Sequence, residues 1–343
     1  MLDWRQLAQL PTEILVRRRL DEIHLACAVD LPGSEGIDIQ GCTGKIDEYV
    51  AWVRRYTDHC LAKNGPDPDR LGETEAQTRM RCLITVLWQG AGLRYNPAKI
   101  AEDAPWELSD NFIHGALFGA GGTCATLPVI YAAVGRQLGY PLKLVSVWGP
   151  KANHLFCRWD GRGERFNIEA NETGVAFPSD DSYRHPALEK RCEEAGLFFR
   201  SKTPREELAG FLADRAEWWR HVGRLRDCVD TYAWAYALSP TNKIYRDTLN
   251  RTYNAWLREV NRDKPDRFPD MYIKIQRRRY PPTVPLDLEA DIVGTETVSL
   301  LLKDAEANER WWTPLRLGLR LARTPCIIRV ESTLEKSSVK FQF

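Results

Sequence analysis

The chain reads as an α+β protein, and three features carry that reading. Apolar residues recur at helical spacing through the N-terminal stretch. A central block of short apolar, partly β-branched runs is punctuated by Gly139-Tyr140-Pro141 and by Asp160-Gly161-Arg162-Gly163, which is strand and turn chemistry. The helical pattern then returns from Glu206. At 343 residues, 43% hydrophobic and 28% charged, the chain is long enough for two or three domains and for a full core without staples.

Taken in order, the stretch up to Val29 is largely helical, with Arg17, Arg18 and Arg19 on a solvated face. After a polar, glycine-rich connection, Ile46, Val50, Val53, Thr57 and Cys60 mark an amphipathic helix. Asn64 to Asp69 is a loop, and Thr74 to Gln89 is a helix that buries Met80, Leu83, Val86 and Leu87 before Gly90 and Gly92 end it. Between Tyr95 and Ala120 polar and loop signals dominate. Gly119, Gly121 and Gly122 then permit a sharp turn, and Leu127, Ile130, Val134 and Leu138 continue as a helix.

Three strands follow: Leu142 to Trp148, His154 to Trp159, and Arg165 to Ala170, the last two forming a hairpin. A polar segment through Pro178, Asp180, Asp181, His185 and Pro186 reads as a loop over or beside the candidate site that the Gly121 to Asn171 stretch carries. From Glu206 to Leu238 the order is helix, short turn at Gly223-Arg224, helix. Asn242 to Val260 is a further helix, Asn261 to Arg267 a linker and Pro281-Pro282 another break. Apolar runs at Val298 to Leu302 and Ile327 to Val330 make the end a small β-containing module. Lys274, Arg277, Arg278 and Arg279 are read as a solvated basic face.

The stretch from Gly121 to Asn171 carries chemistry. It delivers Cys124 to the start of a helix, where unpaired N–H groups and the positive end of the helix dipole favour thiolate. His154 follows on a strand, with Asn167 and Glu169 on the partner strand. A two-residue Asp160-Gly161 loop sets His154 opposite Asn167, and a four-residue loop sets it opposite Glu169. Both share a face of their strand, and the spacing alone selects neither. Cysteine, then histidine, then amide or acid is the nucleophile, base and orienter of acyl transfer. Trp88, Gln89, His114 and Thr123 are expected to line the cleft around it, with Trp88 or Gln89 offering an oxyanion donor or a wall.

Gly122-Thr123-Cys124 opening a helix, His154 thirty positions on and Asn167-Ile168-Glu169 ending fifteen beyond it resemble the catalytic core of the transglutaminase-like superfamily, a papain-related group. The likeness spans about fifty residues and extends weakly to Gly92-Leu93-Arg94-Tyr95-Asn96-Pro97. It implies a nucleophile helix packed on an antiparallel sheet, with Cys124 as nucleophile, His154 as base and Glu169 in place of the family's aspartate. It also implies a protein or peptide substrate. Leu208, Leu212, Trp219, Gly223, Cys228, Tyr232, Ala235, Leu238 and Pro240 fall as in a tetratricopeptide repeat, one repeat and part of a second. That likeness implies docking on neighbours or on a protein partner. Trp218, Trp219, Tyr232, Trp234 and Tyr236 are read as core and interface.

The resulting organisation is a catalytic domain with N-terminal helices over 1–200, a helical repeat over 201–262, and a linker with a small C-terminal module over 263–343. A net charge of +1 gives no electrostatic case for nucleic acid or an acidic membrane, and no apolar run reaches membrane-spanning length. Nine cysteines without paired spacing, and no apolar leader after Met1, predict a reducing, cytoplasmic setting with no metal and no organic cofactor. The expected activity is hydrolysis of a peptide or isopeptide bond, with glutamine deamidation or crosslinking second. The competing class is a catalytically idle adaptor that binds through the repeat.

Overall fold

A computed structural model describes residues 2–64, 74–99, 104–119, 121–148, 153–171, 174–183, 198–260, 273–277, 326–331 and 338–342. The chain divides into two compact units, Met1–Glu207 and Leu208–Phe343. The first boundary thus falls inside a helix rather than near residue 200. Glu207 is bound to the first unit by Arg136, whose two terminal nitrogens reach its carboxylate at 2.9 and 2.5 Å. The helices from Leu208 onward and the C-terminal strands group together in the second unit.

In the first unit, helices α1 (Trp4–Gln9), α2 (Thr12–Leu15), α3 (Leu20–Ala28), α4 (Ile39–Asn64) and α5 (Glu75–Thr85) precede the sheet. Asp3 with Gln6 and Thr74 with Gln77 form capping boxes that satisfy the first amides of α1 and α5. Ile46 and Val53 of α4 and Met80 and Leu83 of α5 are fully buried, as their spacing predicts. A π-helical turn, Val86–Gly90, ends α5, and α6 (Ile113–Phe118) and α7 (Leu127–Gln137) follow.

Helix α7 is the centre of the unit. Its residues Leu127 to Gly135 are all buried. Helices α3 and α4 pack against it, as do strands β1 (Leu142–Trp148) and β2 (Asn153–Gly161). A side chain at Gly135 would meet Leu142 of β1 at 2.3 Å, so the glycine sets how closely helix and sheet approach. The helix stops in a Schellman motif: Gly139, at φ 82°, donates to Arg136 O, and Tyr140 donates to Gly135 O at 2.9 Å.

Strands β1, β2, β3 (Glu164–Asn171) and β4 (Gly174–Ala176) form an antiparallel sheet in sequence order. Gly161 pairs with Glu164, so the β2–β3 turn is Arg162-Gly163. Neither loop expected from the sequence is the observed one. Asp160 does not turn; it stays on β2, where its Oδ2 accepts the Ser201 hydroxyl at 2.6 Å.

In the second unit, α8 (Pro204–His221, shared across the boundary), α9 (Leu225–Leu238) and α10 (Lys243–Val260) are joined by short turns. Leu208, Leu212, Cys228, Tyr232, Ala235 and Leu238 are buried, as is the aromatic group Trp218, Trp219, Trp234 and Tyr236. Tyr232 donates its hydroxyl to Glu217 Oε1 at 2.5 Å. Strands β5 (Ile273–Arg277), β6 (Cys326–Glu331) and β7 (Ser338–Gln342) make a three-stranded antiparallel sheet in that order. Ile327 to Val330 lies on β6. The Val298 to Leu302 run, Arg278, Arg279, the expected linkers and His185-Pro186 lie outside the described residues.

Candidate active site

Cys124 sits in the turn Cys124 to Thr126, immediately before α7, and not within its first turn as expected. Pro128 is the reason: it has no N–H to close an α-helical bond back to the Cys124 carbonyl. The winding nevertheless begins early, because Leu127 N–H reaches Thr123 O at 3.0 Å. Thr123 braces this turn from both sides. Its hydroxyl donates to Asp110 O at 2.6 Å and accepts from Ala125 N–H at 3.1 Å, while its own N–H donates to Thr126 Oγ1 at 2.9 Å. Buried to 8% exposure, Thr123 positions the cysteine rather than lining a cleft.

The glycines before it are set by close approach. Gly122 N–H donates to Arg94 O and accepts from Asn96 N–H through its carbonyl, both at 2.8 Å, forming a parallel bridge with Tyr95. Gly121, at φ 130°, passes so near this segment that a Cβ would lie 2.7 Å from Arg94 O. The Gly92 to Pro97 stretch is therefore the strut beneath the cysteine turn. Tyr95 is half exposed there, and its phenol is pushed up by burial and then by the charge of Cys124.

His154 stands on β2 opposite Val147 of β1. Its Nε2 meets Glu169 Oε1 at 2.5 Å. Continuing the β2–β3 register sets His154 two residues along from the position facing Glu169, so the two meet diagonally. Burial lowers the affinity of the imidazole for a proton, but the hydrogen bonds and charges of Cys124 and Glu169 outweigh it and lift the pKa to about 10. With Nε2 taken by Glu169, Nδ1 is the nitrogen left free of the carboxylate. His154 and Glu169 side chains keep 30% and 26% exposure.

Asn167, the other expected orienter, is used elsewhere. It faces Arg158 across the hairpin and accepts from Arg158 Nε at 2.7 Å. Its amide nitrogen donates to Asp180 Oδ1 at 2.7 Å and to Pro178 O at 3.0 Å, which exhausts its two donors. Trp88 and Gln89 lie in the π-helical turn, half-buried and exposed, and take part in none of the site's hydrogen bonds among the described residues. His114, on α6, is coupled to the buried His24 and is pushed below the usual histidine range by burial. Its place is in the helical layer.

Two contributors have no sequence signal. Tyr183, at the end of a 3-10 turn (Asp180–Tyr183), donates its hydroxyl to Glu169 Oε1 at 2.9 Å. Arg158, 1% exposed, donates to Phe199 O at 2.6 Å and to Asp180 Oδ1 at 2.5 Å. The described residues contain no cluster of three or more metal-ligating side chains and no helix long and apolar enough to cross a membrane. All cysteines whose side chains are described are free thiols. No protein-family model, no curated protein and no solved structure matches the chain.

Proposed function

We propose that this chain is a transglutaminase-like cysteine enzyme that hydrolyses a peptide or isopeptide bond through Cys124, His154 and Glu169. The observation that carries the reading is the 2.5 Å contact of His154 Nε2 with Glu169, on a ring whose affinity for a proton is raised by Cys124 and Glu169. A histidine held as imidazolium beside a thiol favours the thiolate, the nucleophilic form.

The thiolate sulfur bonds to the carbonyl carbon while the C=O π pair moves onto oxygen. The Cys124 N–H, in no hydrogen bond among the described residues, faces that oxyanion; Ala125 N–H is already committed to Thr123 Oγ1. The oxyanion collapses, the carbon–nitrogen bond breaks, and His154 gives its proton to the departing amine. Water, deprotonated by the now neutral His154, attacks the thioester, and the sulfur leaves as thiolate. Glu169 fixes the ring throughout and stabilises its positive form. An amine in place of water turns the same thioester into a crosslink, and a glutamine side chain as acyl donor with water gives deamidation.

The test is an acyl-transfer assay on the full chain with p-nitrophenyl acetate and a quenched peptide library, with intact mass of the acid-quenched enzyme. One acyl group on Cys124, and a loss of turnover of about a thousandfold or more in Cys124→Ala, is the expected result. Absence of any acyl adduct, with turnover equal in the two proteins, would instead support the adaptor reading.

A further inference from the structure

We propose that Tyr183 is a positioning residue that holds Glu169 against His154, and that a clamp of the buried Arg158 and Asn167 on Asp180 holds Tyr183 in place. The inference rests on the acyl-transfer reading of Cys124, His154 and Glu169.

One carboxylate oxygen does two jobs here. Glu169 Oε1 takes Nε2 of His154 at 2.5 Å and the Tyr183 hydroxyl at 2.9 Å. A phenol has a single proton to donate, and the carboxylate that accepts it is better held in one rotamer. The tyrosine ring is itself fixed. It lies parallel to Phe156, with centroids 4.6 Å apart and planes 4° from parallel, and Phe156 is fully buried. The His154 ring is 5.9 Å away on the same stack. The tyrosine therefore closes one side of the histidine–acid pair while reaching over it to the acid.

What holds Tyr183 there lies three residues earlier on the same turn. Asp180 Oδ1 receives Arg158 at 2.5 Å and Asn167 at 2.7 Å, and Asn167 also ties down Pro178 O. Arg158 in turn is braced by Asn167 Oδ1 and Phe199 O. A guanidinium taken out of water is strongly unfavourable unless its donors find partners, so a residue 1% exposed with three such bonds fixes its surroundings firmly. The clamp fastens the Pro178–Tyr183 segment to β2 and β3, the strands that bear His154 and Glu169. Asn167 thereby acts on the histidine through Asp180 and Tyr183 and not by direct contact.

The experiment is the pH dependence of Cys124 alkylation by iodoacetamide, read by mass spectrometry, in the full-length wild type, Tyr183→Phe, Glu169→Gln and the double variant. Phenylalanine keeps the ring stack and removes only the hydroxyl. The acid limb of the Tyr183→Phe profile is expected about one pH unit higher than wild type, with Cys124 roughly three- to tenfold slower at pH 6.5. In the Glu169→Gln background the same change should add almost nothing, because the group it acts through is gone; a purely structural tyrosine would slow both backgrounds equally. Asp180→Asn, which keeps the tyrosine and loosens its anchor, should shift the limb in the same direction by less, and it serves alone if Tyr183→Phe does not fold. Superposable wild-type and variant profiles, or fully additive effects, overturn the proposal while leaving Cys124 a reactive nucleophile. A wild-type Cys124 no faster than the other cysteines overturns the acyl-transfer reading itself, and the proposal with it.

Discussion

His24 and His154 belong to the same unit, and burial acts on both, yet they end at opposite poles. His24, on α3, is fully buried against Phe112, with ring centroids 5.2 Å apart, and its Nδ1 accepts the Ile113 N–H at 3.4 Å. Burial first, then repulsion from His114, pulls its pKa down to about 3. His154, only partly buried, is desolvated in the same sense, but the hydrogen bonds and charges of Cys124 and Glu169 outweigh this and its pKa rises to about 10. Desolvation alone makes a neutral structural histidine that serves as an acceptor. With anionic partners in reach, partial burial leaves a protected positive charge, since low dielectric strengthens the attraction that water would screen.

The comparison is broken most directly by removing the charge that separates the two sites. Glu169→Gln keeps the shape and a hydrogen-bonding oxygen but supplies no anion, so acyl transfer should fall by at least about tenfold while the protein stays folded. Steady-state turnover with circular dichroism checks this. Wild-type turnover in Glu169→Gln would remove the carboxylate from the account. Asn167→Ala, which frees Asp180 and Arg158 rather than the histidine, should cost less, roughly two- to fivefold.

A second effect is on stability. His24 has a folded pKa of about 3, below its unfolded value near 6.5, so between those limits the unfolded chain binds the extra proton. Stability should therefore decline as pH falls from about 6.5 toward 3, by several kcal/mol in total, on the order of 1.4 per pH unit at most. His154 has the opposite sign: its contribution is complete below about 6.5 and is lost as pH rises through about 10. Urea unfolding at several pH values should show a flatter acid slope in His24→Asn, whatever its baseline. An unchanged slope would mean that His24 is not the group being charged.

These two sites were not equally legible in the sequence. His154, Asn167 and Glu169 are gathered onto one hairpin because strand side chains alternate with period two, and every loop length considered keeps the three on one face. The choice between Asn167 and Glu169 depended on register. Both loops open to the sequence, Asp160-Gly161 and Asp160 to Gly163, take Asp160 into the turn, but Ser201 holds Asp160 on the strand and the turn is Arg162-Gly163. Long amphipathic helices were readable because Ile46 and Val53, or Met80 and Leu83, repeat on one face. His24 gave no sign of its role, since its partner amide lies 89 positions away. Tyr183 and Arg158 were hidden for the same reason: their contacts to Glu169 and Asp180 are side-chain bonds made across loops, with no period to betray them.

The central claim is that His154 is an imidazolium poised between Cys124 and Glu169. Its most direct test is a nuclear magnetic resonance titration of the ring nitrogens in histidine-labelled protein from pH 4 to 10.5, with His154→Gln and His24→Asn used to assign the two resonances. The account predicts that His154 stays doubly protonated at pH 8 and titrates near 10, and that His24 stays neutral down to pH 5. A His154 ring that loses its proton near 6.5 with Glu169 intact would contradict it.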